Sequence, residues 1–334
     1  MTQIKIIHLV DDTTAGGVMR VLDYITTTPE LAKHAKHGLH KVARDRWLPK
    51  KIRAEVIVSN LAISWRAMPM LIALRLMHPK AKLIHVEHSY TEHFVALNVI
   101  RKKRFAALLR YAYGLFDQIV AVSYGQAEWL RRSGAVKSEK LTVIQSCVDL
   151  SGFRNLEPPK GPPYVIGAIG RLEKQKGFDL LIEAFRQTTN PNIALHFYGE
   201  GHEEADLRRL AGDDPRICFK GFAQDPVAAM AKVSIVAMPS QWEAYGLVAI
   251  EALAAGRQLL VSNVDGLKDH LAIGAKAVEP HDVNGWRDAI DRATEQGNID
   301  HNNLNTKYKN LESTYISAWS ALIEGPHRST ALGK

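Results

Sequence analysis

Cysteine is nearly missing from this chain: Cys147 and Cys218 are the only two in 334 residues, and they stand far apart. Two such thiols make neither a disulfide framework nor a zinc site, so a reducing compartment is the default. Long apolar runs are also lacking. The most apolar stretch, around Met68 to Met77, is interrupted by Arg75 and is far shorter than the roughly 20 residues that cross a bilayer. The opening MTQIKIIHLVDD reads as a buried strand ending in acids, without the charged start and apolar core of a signal peptide. These absences predict a soluble or peripheral chain in the cytoplasm. No Asp-x-Asp pair stands ready to hold a metal, and no Gly-x-Gly-x-x-Gly follows the first strand, which speaks against a nicotinamide-type site.

What is present is an ordinary globular composition, 46% hydrophobic, in a chain long enough for two domains. Charge is divided unevenly. Residues 1–160 carry a net +12 and the remainder −4, within a total of +8. A basic first half suits an anionic acceptor or an anionic membrane surface. Nucleic acid is the weak option, because no reading motif accompanies the charge.

The most informative stretch is Pro239 to Gly256, PSQWEAYGLVAIEALAAG. Small and polar residues come first, and then Leu247, Val248, Ile250 and Leu253 stripe a helix that Gly256 stops. Flanking VSIVAMPS and RQLLVSNV read as buried strands of a parallel α/β sheet, which places the helix start at the ligand-binding carboxyl edge. Free N–H groups near Gly246, Leu247 and Val248 favour an anion, and Glu243 and Glu251 can accept from hydroxyls. A phosphate flanked by sugar hydroxyls meets both demands; solvated acids with no ligand would also fit this segment alone.

A second segment, IGAIGRLEKQKGFDLLIEAF from Ile166 to Phe185, is a strand, a polar loop and a helix with Phe178, Leu181, Ile182 and Phe185 on one face. Arg171 and Lys176 flank the turn. Cations beside a helix start are poor for helix electrostatics and good for a diphosphate.

Together, GRLEKQKG and the segment with Glu243 and Glu251 resemble the C-terminal domain of glycosyltransferase family four, over about a third of the chain, Tyr164 to Leu271. The resemblance implies an α/β GT-B fold: two Rossmann-like domains facing across a cleft, with a C-terminal helix crossing back to the first. It implies an acceptor-binding domain over residues 1–155, a nucleotide-sugar-binding domain over 164–304, and the returning helix over 305–325. The implied activity is retaining, metal-independent transfer of a hexose from a UDP- or GDP-sugar to an acceptor hydroxyl. No resident metal or cofactor is expected. By resemblance Arg171 and Lys176 meet the diphosphate, Glu251 the ribose hydroxyls and Glu243 the donor sugar, while Gly221 and Phe222 belong to the base-contacting loop. The pathway implied is cell-surface polysaccharide or lipid-linked glycan synthesis, with attachment to the inner face of a membrane. A sugar-nucleotide epimerase of similar fold, or an inactive partner that binds nucleotide sugar or membrane, are the rival readings.

In the first half, Gly16 and Gly17 sit at a strand-to-helix turn, where the family has a glycine pair near the donor phosphate; a tight turn needing no ligand would also use them. Leu31 to Arg53 is crowded with cations and with His34, His37 and His40, and reads as a solvated or membrane-facing surface. AKLIHVEHSYTEHF gives a strand ending at Glu87 and His88. The family commonly places a histidine at this strand end, facing the donor sugar, so His88 is the catalytic candidate, with Glu87 and His93 as its alternatives. Metal binding by His85, His88 and His93 matches no zinc-protease spacing, and strand alternation would put His85 and His88 on opposite faces. VIRKKRFAALLRYAYGLF reads as a basic amphipathic helix, either lying on anionic lipid or packed in the core with a solvated end. Ser146 and Cys147 replace the family's usual Asn-Gly, so that turn must differ, and Cys147 reads as a packed thiol. NLEPPKGPP, Asn155 to Pro163, is the expected linker, and a last helix carries Leu311, Tyr315, Trp319 and Leu322 on one stripe, before a tail from Pro326.

Overall fold

The computed structural model describes residues 3–14, 16–43, 51–159, 162–295 and 310–325. Residues 44–50 of the basic stretch, 160–161 of the linker, 305–309 of the expected last helix and the tail from Pro326 lie outside the described residues. The chain divides into two compact units, Met1–Val148 with Leu311–Lys334, and Asp149–Asn310. Among the described residues no helix is long and apolar enough to cross a membrane.

The first unit is built on six parallel strands: β1 (Ile4–Val10), β2 (Ala35–Lys41), β3 (Val56–Ser59), β4 (Lys82–Glu87), β5 (Gln118–Ala121) and β6 (Leu141–Val143). They lie in the order β2-β1-β3-β4-β5-β6. The central strands are apolar on both faces: Val56, Ile57, Val58, Leu83, Ile84, Ile119 and Val120 are all buried, as a sheet covered by helices on each side requires. Leu71, Leu74, Leu108, Leu109, Tyr113 and Leu130 close one side from the helices. The strand order reverses between β1 and β3, so the loops after those strands open the crevice of this unit.

Two features depart from the sequence reading. The basic stretch is not only surface: it takes in the end of helix Pro29–His34 and the whole edge strand β2. Pairing in parallel with β1 turns His37 inward against His8, Nδ1 to Nε2 3.0 Å, while lysines on β2 guard the open edge. The last helix, Leu311–Glu324, packs on this unit against helix Pro29–His34, with Tyr315 on Tyr24 and Trp319 edge-on to His8. Its most buried apolar residues are Tyr315, Trp319 and Ile323 rather than Leu322, because steps of four keep one side facing the sheet. Lys82 Nζ donates to the Leu322 carbonyl at 2.7 Å and fastens its end.

The His8–His37 pair gives a measurable consequence. Burial, with the neighbouring His37 adding to it, holds His8 down to about 3, and burial holds His37 to about 4. Both lie below the ordinary 6.5, so the folded unit binds fewer protons than the unfolded chain. This contribution is fully present above pH 6.5 and is lost as pH falls towards 4 and 3. The thermal midpoint should fall steeply below pH 6, by an amount on the order of several kcal/mol in stability. His8→Gln should flatten that slope in a calorimetric pH series; an unchanged slope would assign acid sensitivity to other groups.

The second unit has β7 (Tyr164–Ile169), β8 (Ile193–Tyr198), β9 (Ile217–Phe219), β10 (Ile235–Met238), β11 (Gln258–Ser262) and β12 (Lys276–Val278), all parallel. Their order is β12-β11-β10-β7-β8-β9. Helices Phe178–Arg186 and Val283–Glu295 pack on one another and cover this sheet through Leu181, Ile182, Phe185, Trp286 and Ile290. The unit begins at Asp149, ahead of the expected linker. Helix Ser151–Arg154 packs against helices Pro226–Met230 and Leu247–Ala254, and Arg257, 2% exposed, donates to the carbonyls of Met230 and Glu157. The order reverses between β7 and β10, and both motifs singled out in the sequence are the loops that follow these two strands.

Candidate active site

Those two loops, Gly170–Gly177 after β7 and Pro239–Gly246 after β10, are fastened to each other. Gln241 N donates to the Gln175 carbonyl at 2.8 Å, Gln175 Nε2 to the Trp242 carbonyl at 3.0 Å, and Lys176 Nζ pairs with Glu243 Oε2 at 2.5 Å. The Lys176 and Glu243 side chains are 16% and 12% exposed, which makes this a half-shielded ion pair at the carboxyl edge of the sheet. Gly177 allows the contact. Its φ is +61°, and a Cβ there would lie 2.3 Å from the Pro239 carbonyl oxygen.

Beside this pair begins helix Leu247–Ala254, capped by Gly246 with no side-chain hydrogen bond. The first amides, of Leu247 and Val248, therefore present a partial positive charge at the loop end. Glu251 lies inside that helix, 1% exposed, rather than on its solvent face. Arg171 is exposed on the neighbouring loop. Its charge helps a hydrogen bond from His202 Nδ1, 2.9 Å away, to hold the Glu173 carboxyl below its usual range.

The loop after β8 completes this rim. Gly199 carries φ +154° and packs so closely on Gly170 that a Cβ would sit 1.9 Å from the Gly170 carbonyl oxygen. Its N–H donates to the Gly221 carbonyl at 2.8 Å, which draws in the loop carrying Gly221 and the half-exposed ring of Phe222. Arg171, Lys176, Glu243, Glu251, Gly246, Leu247, Val248, Gly221 and Phe222 thus belong to one unit, most of them on three loops of its carboxyl edge that the loop after β8 ties together.

Three supporting residues escaped the sequence reading. Gln175 laces the loops, as described above. Gly266 N donates to the Glu243 carbonyl at 3.0 Å, in a turn where Asp265 takes a positive φ of 39°. His270 Nε2 donates to the Tyr245 carbonyl at 2.7 Å, and its ring tilts against Tyr245 at 4.7 Å. Burial lowers the His270 pKa, so the ring is a neutral donor that fixes the backbone one residue before Gly246. The phrase VDGLKDH after β11 has no periodicity that announces this support.

In the first unit, His88 follows β4, next to the crevice. Its Nε2 lies 2.9 Å from Asn60 Oδ1, while the Asn60 side-chain amide donates to the Leu9 carbonyl, so Nε2 carries the proton and Nδ1 is left as acceptor. Burial, opposed by the Glu87 charge and helped by His85, holds His88 down to about 4. Glu87 is occupied elsewhere: it accepts from Ser89 N, Tyr90 N and Tyr113 Oη at 2.7 to 2.9 Å. Burial raises its pKa, but contacts from His85, Tyr113 and Tyr90 prevail and leave it lowered. His93 lies within helix Glu92–Asn98. Gly16 caps helix Gly17–Thr27 with φ −179°, an extended conformation open to any residue, so the turn itself does not demand glycine. Cys147 is buried, 2% exposed, with no left-handed backbone around it.

Comparison with known proteins matches residues 10–151 to the family described as Glycosyltransferase Family 4 and residues 153–310 to Glycosyl transferases group 1. An uncharacterised 41.2 kDa protein in the cps region of Klebsiella pneumoniae is 22% identical over 81% of this chain and 84% of its own length. The glycogen synthase of Mycobacterium tuberculosis is 31% identical over 45% of this chain, which spans only 39% of that enzyme. Among solved structures, Anabaena HepE in complex with UDP-glucose superposes with a TM-score of 0.72 at 17% identity, over 96% of this chain and 99% of that one.

Proposed function

The chain belongs to glycosyltransferase family four and is a glycosyltransferase of the GT-B fold, and on that premise we propose that it moves a hexose from a nucleotide diphosphate sugar to an acceptor hydroxyl with retained anomeric configuration and without a metal. The observation that carries this reading is the cluster of Arg171, the Lys176–Glu243 pair and the helix start at Gly246, which has no side-chain cap, on the carboxyl edge of the second sheet. Negative charge grows on the leaving diphosphate during transfer, and fixed cations and amides aimed there stabilise the transition state. Lys176 is held by Glu243, so arrival of a diphosphate lets one ammonium serve both anions while Glu243 takes sugar hydroxyls. Glu251 is assigned to the ribose hydroxyls and the Gly221–Phe222 loop to the base.

His88, held at about 4, is neutral at pH 7 and serves as a hydrogen-bonding group towards the donor sugar rather than as a cation. No covalent nucleophile is assigned. Attack from the face of departure fits retention, with the leaving phosphate taking the acceptor proton. The acceptor is read as a sugar or lipid-linked sugar at a membrane face, in cell-surface glycan synthesis.

Calorimetric titration with UDP and GDP in chelator tests the donor reading. Because Anabaena HepE was solved with UDP-glucose, UDP is the expected ligand. Binding should persist in chelator and weaken at least 10-fold in Glu251→Ala, by loss of hydrogen bonds to a buried carboxyl acceptor. Absence of binding by either nucleotide, or unchanged binding in that variant, would overturn the assignment.

A further inference from the structure

The first unit carries a surface whose chemistry no part of the transfer reaction uses. Helix Glu92–Asn98 has no fully buried residue, and the chain after it leads through Ile100, 97% exposed, into four consecutive cations, Arg101, Lys102, Lys103 and Arg104, all exposed. Leu97 is 59% exposed beside them. The Arg104 guanidinium lies 5.5 Å from the ring centre of Trp65, itself 45% exposed and followed by the exposed Arg66. Tyr90 packs on Phe94 and Phe105 and donates to the Ile63 carbonyl, which joins these segments into one face.

Folding does not account for this arrangement. The cations occupy the first turn of helix Lys102–Gly114, where the helix dipole disfavours them, and no acid accompanies them in that turn. Arg101, Lys102 and Lys103 enter no ion pair among the described residues, and Glu92, the one acid between residues 88 and 116, is paired with Arg132 at 2.5 Å. The same helix is anchored in the core through Leu108, Leu109, Ala112 and Tyr113, which leaves its start at the surface. An aliphatic tip with a ring of cations immediately behind it has the layering of a bilayer surface, acyl boundary first and anionic headgroups next.

We propose that this face, Leu97 to Arg104 with Trp65 and Arg66, docks the protein on a membrane rich in anionic lipid. Leu97 and Ile100 enter the acyl boundary and the four cations meet the headgroups. A soluble polyanion would use the cations and leave Leu97 and Ile100 without purpose. The purpose of docking, access to a lipid-linked acceptor, rests on the glycosyl-transfer reading; the docking itself does not.

Co-sedimentation of the full chain with vesicles of phosphatidylcholine alone, and of phosphatidylcholine mixed with phosphatidylglycerol, tests it. The wild type should bind only the mixed vesicles, less strongly at high salt. Lys102→Ala/Lys103→Ala should lower the partition coefficient about 30-fold, from the usual contribution of a surface cation. Leu97→Ser/Ile100→Ser should lower it on the order of 10-fold or more through lost apolar insertion. All four residues are exposed, so folding is undisturbed, and UDP titration of each variant reports the donor site separately. No binding to the mixed vesicles overturns the proposal. So does binding that survives the serine substitutions, which would assign the cations to a soluble polyanion instead.

Discussion

Replacing Arg171 by alanine is expected to cut turnover by a factor of about 10² to 10³ while leaving the thermal midpoint where it was. The size follows from removing one preorganised charge-stabilising group from a transition state, about 3 kcal/mol. Stability is spared because Arg171 is exposed and supports only the Glu173 carboxylate electrostatically. Lys176→Ala should lose a comparable factor in turnover, with a different signature in stability. Its removal strands the Glu243 side chain, 12% exposed, without its cation, at a cost of about 1–3 kcal/mol. Lys176→Ala/Glu243→Gln should regain most of that stability and none of the turnover. A double-substitution cycle thereby separates the pair's role in folding from its role on the diphosphate. Near-full turnover in Arg171→Ala would remove it from the leaving-group site.

The elements that carry the candidate site in the second unit were legible in its sequence because their signals are local. A strand, a polar loop with two cations and a striped helix define the Ile166–Phe185 segment, and the carboxylates of the other segment sit at fixed distances along one helix and its entry loop. What the sequence could not show is that the loops after β7 and β10 are neighbours. That adjacency is a property of strand order, and it turns Lys176 and Glu243, 67 positions apart, into an ion pair. Gln175, Gly266 and His270 were hidden for the same reason: each acts on a backbone group brought near by topology. In the first unit a crowd of lysines and histidines masked β2, since an edge strand of a parallel sheet needs few apolar residues on its open side. His8 and Trp319 meet across nearly the whole length of the chain, which no periodicity can report.

Gly177→Ala is the substitution that tests whether loop contact builds the site. The residue ends the turn Lys174–Lys176 and caps helix Phe178–Arg186, with φ +61° and ψ 30°. Two separate costs follow from a side chain here. The left-handed backbone disfavours alanine by about 1 kcal/mol. A Cβ 2.3 Å from the Pro239 carbonyl oxygen must also push two backbones apart, since neither atom belongs to a side chain that could rotate away; overpacking of this kind costs about 1–3 kcal/mol. The thermal midpoint of this unit should fall by roughly 10 °C. Turnover should fall further than stability explains, because widening the loops parts Lys176 from Glu243, and a misplacement of about 1 Å can cost about 10²-fold. Gly177→Asn distinguishes the two costs. Asparagine tolerates the left-handed region but carries the same Cβ, so the expected result is that it rescues neither stability nor turnover appreciably. If asparagine did restore both, backbone angle alone would be the constraint, and the close approach of the two loops would have no part in placing the Lys176–Glu243 pair.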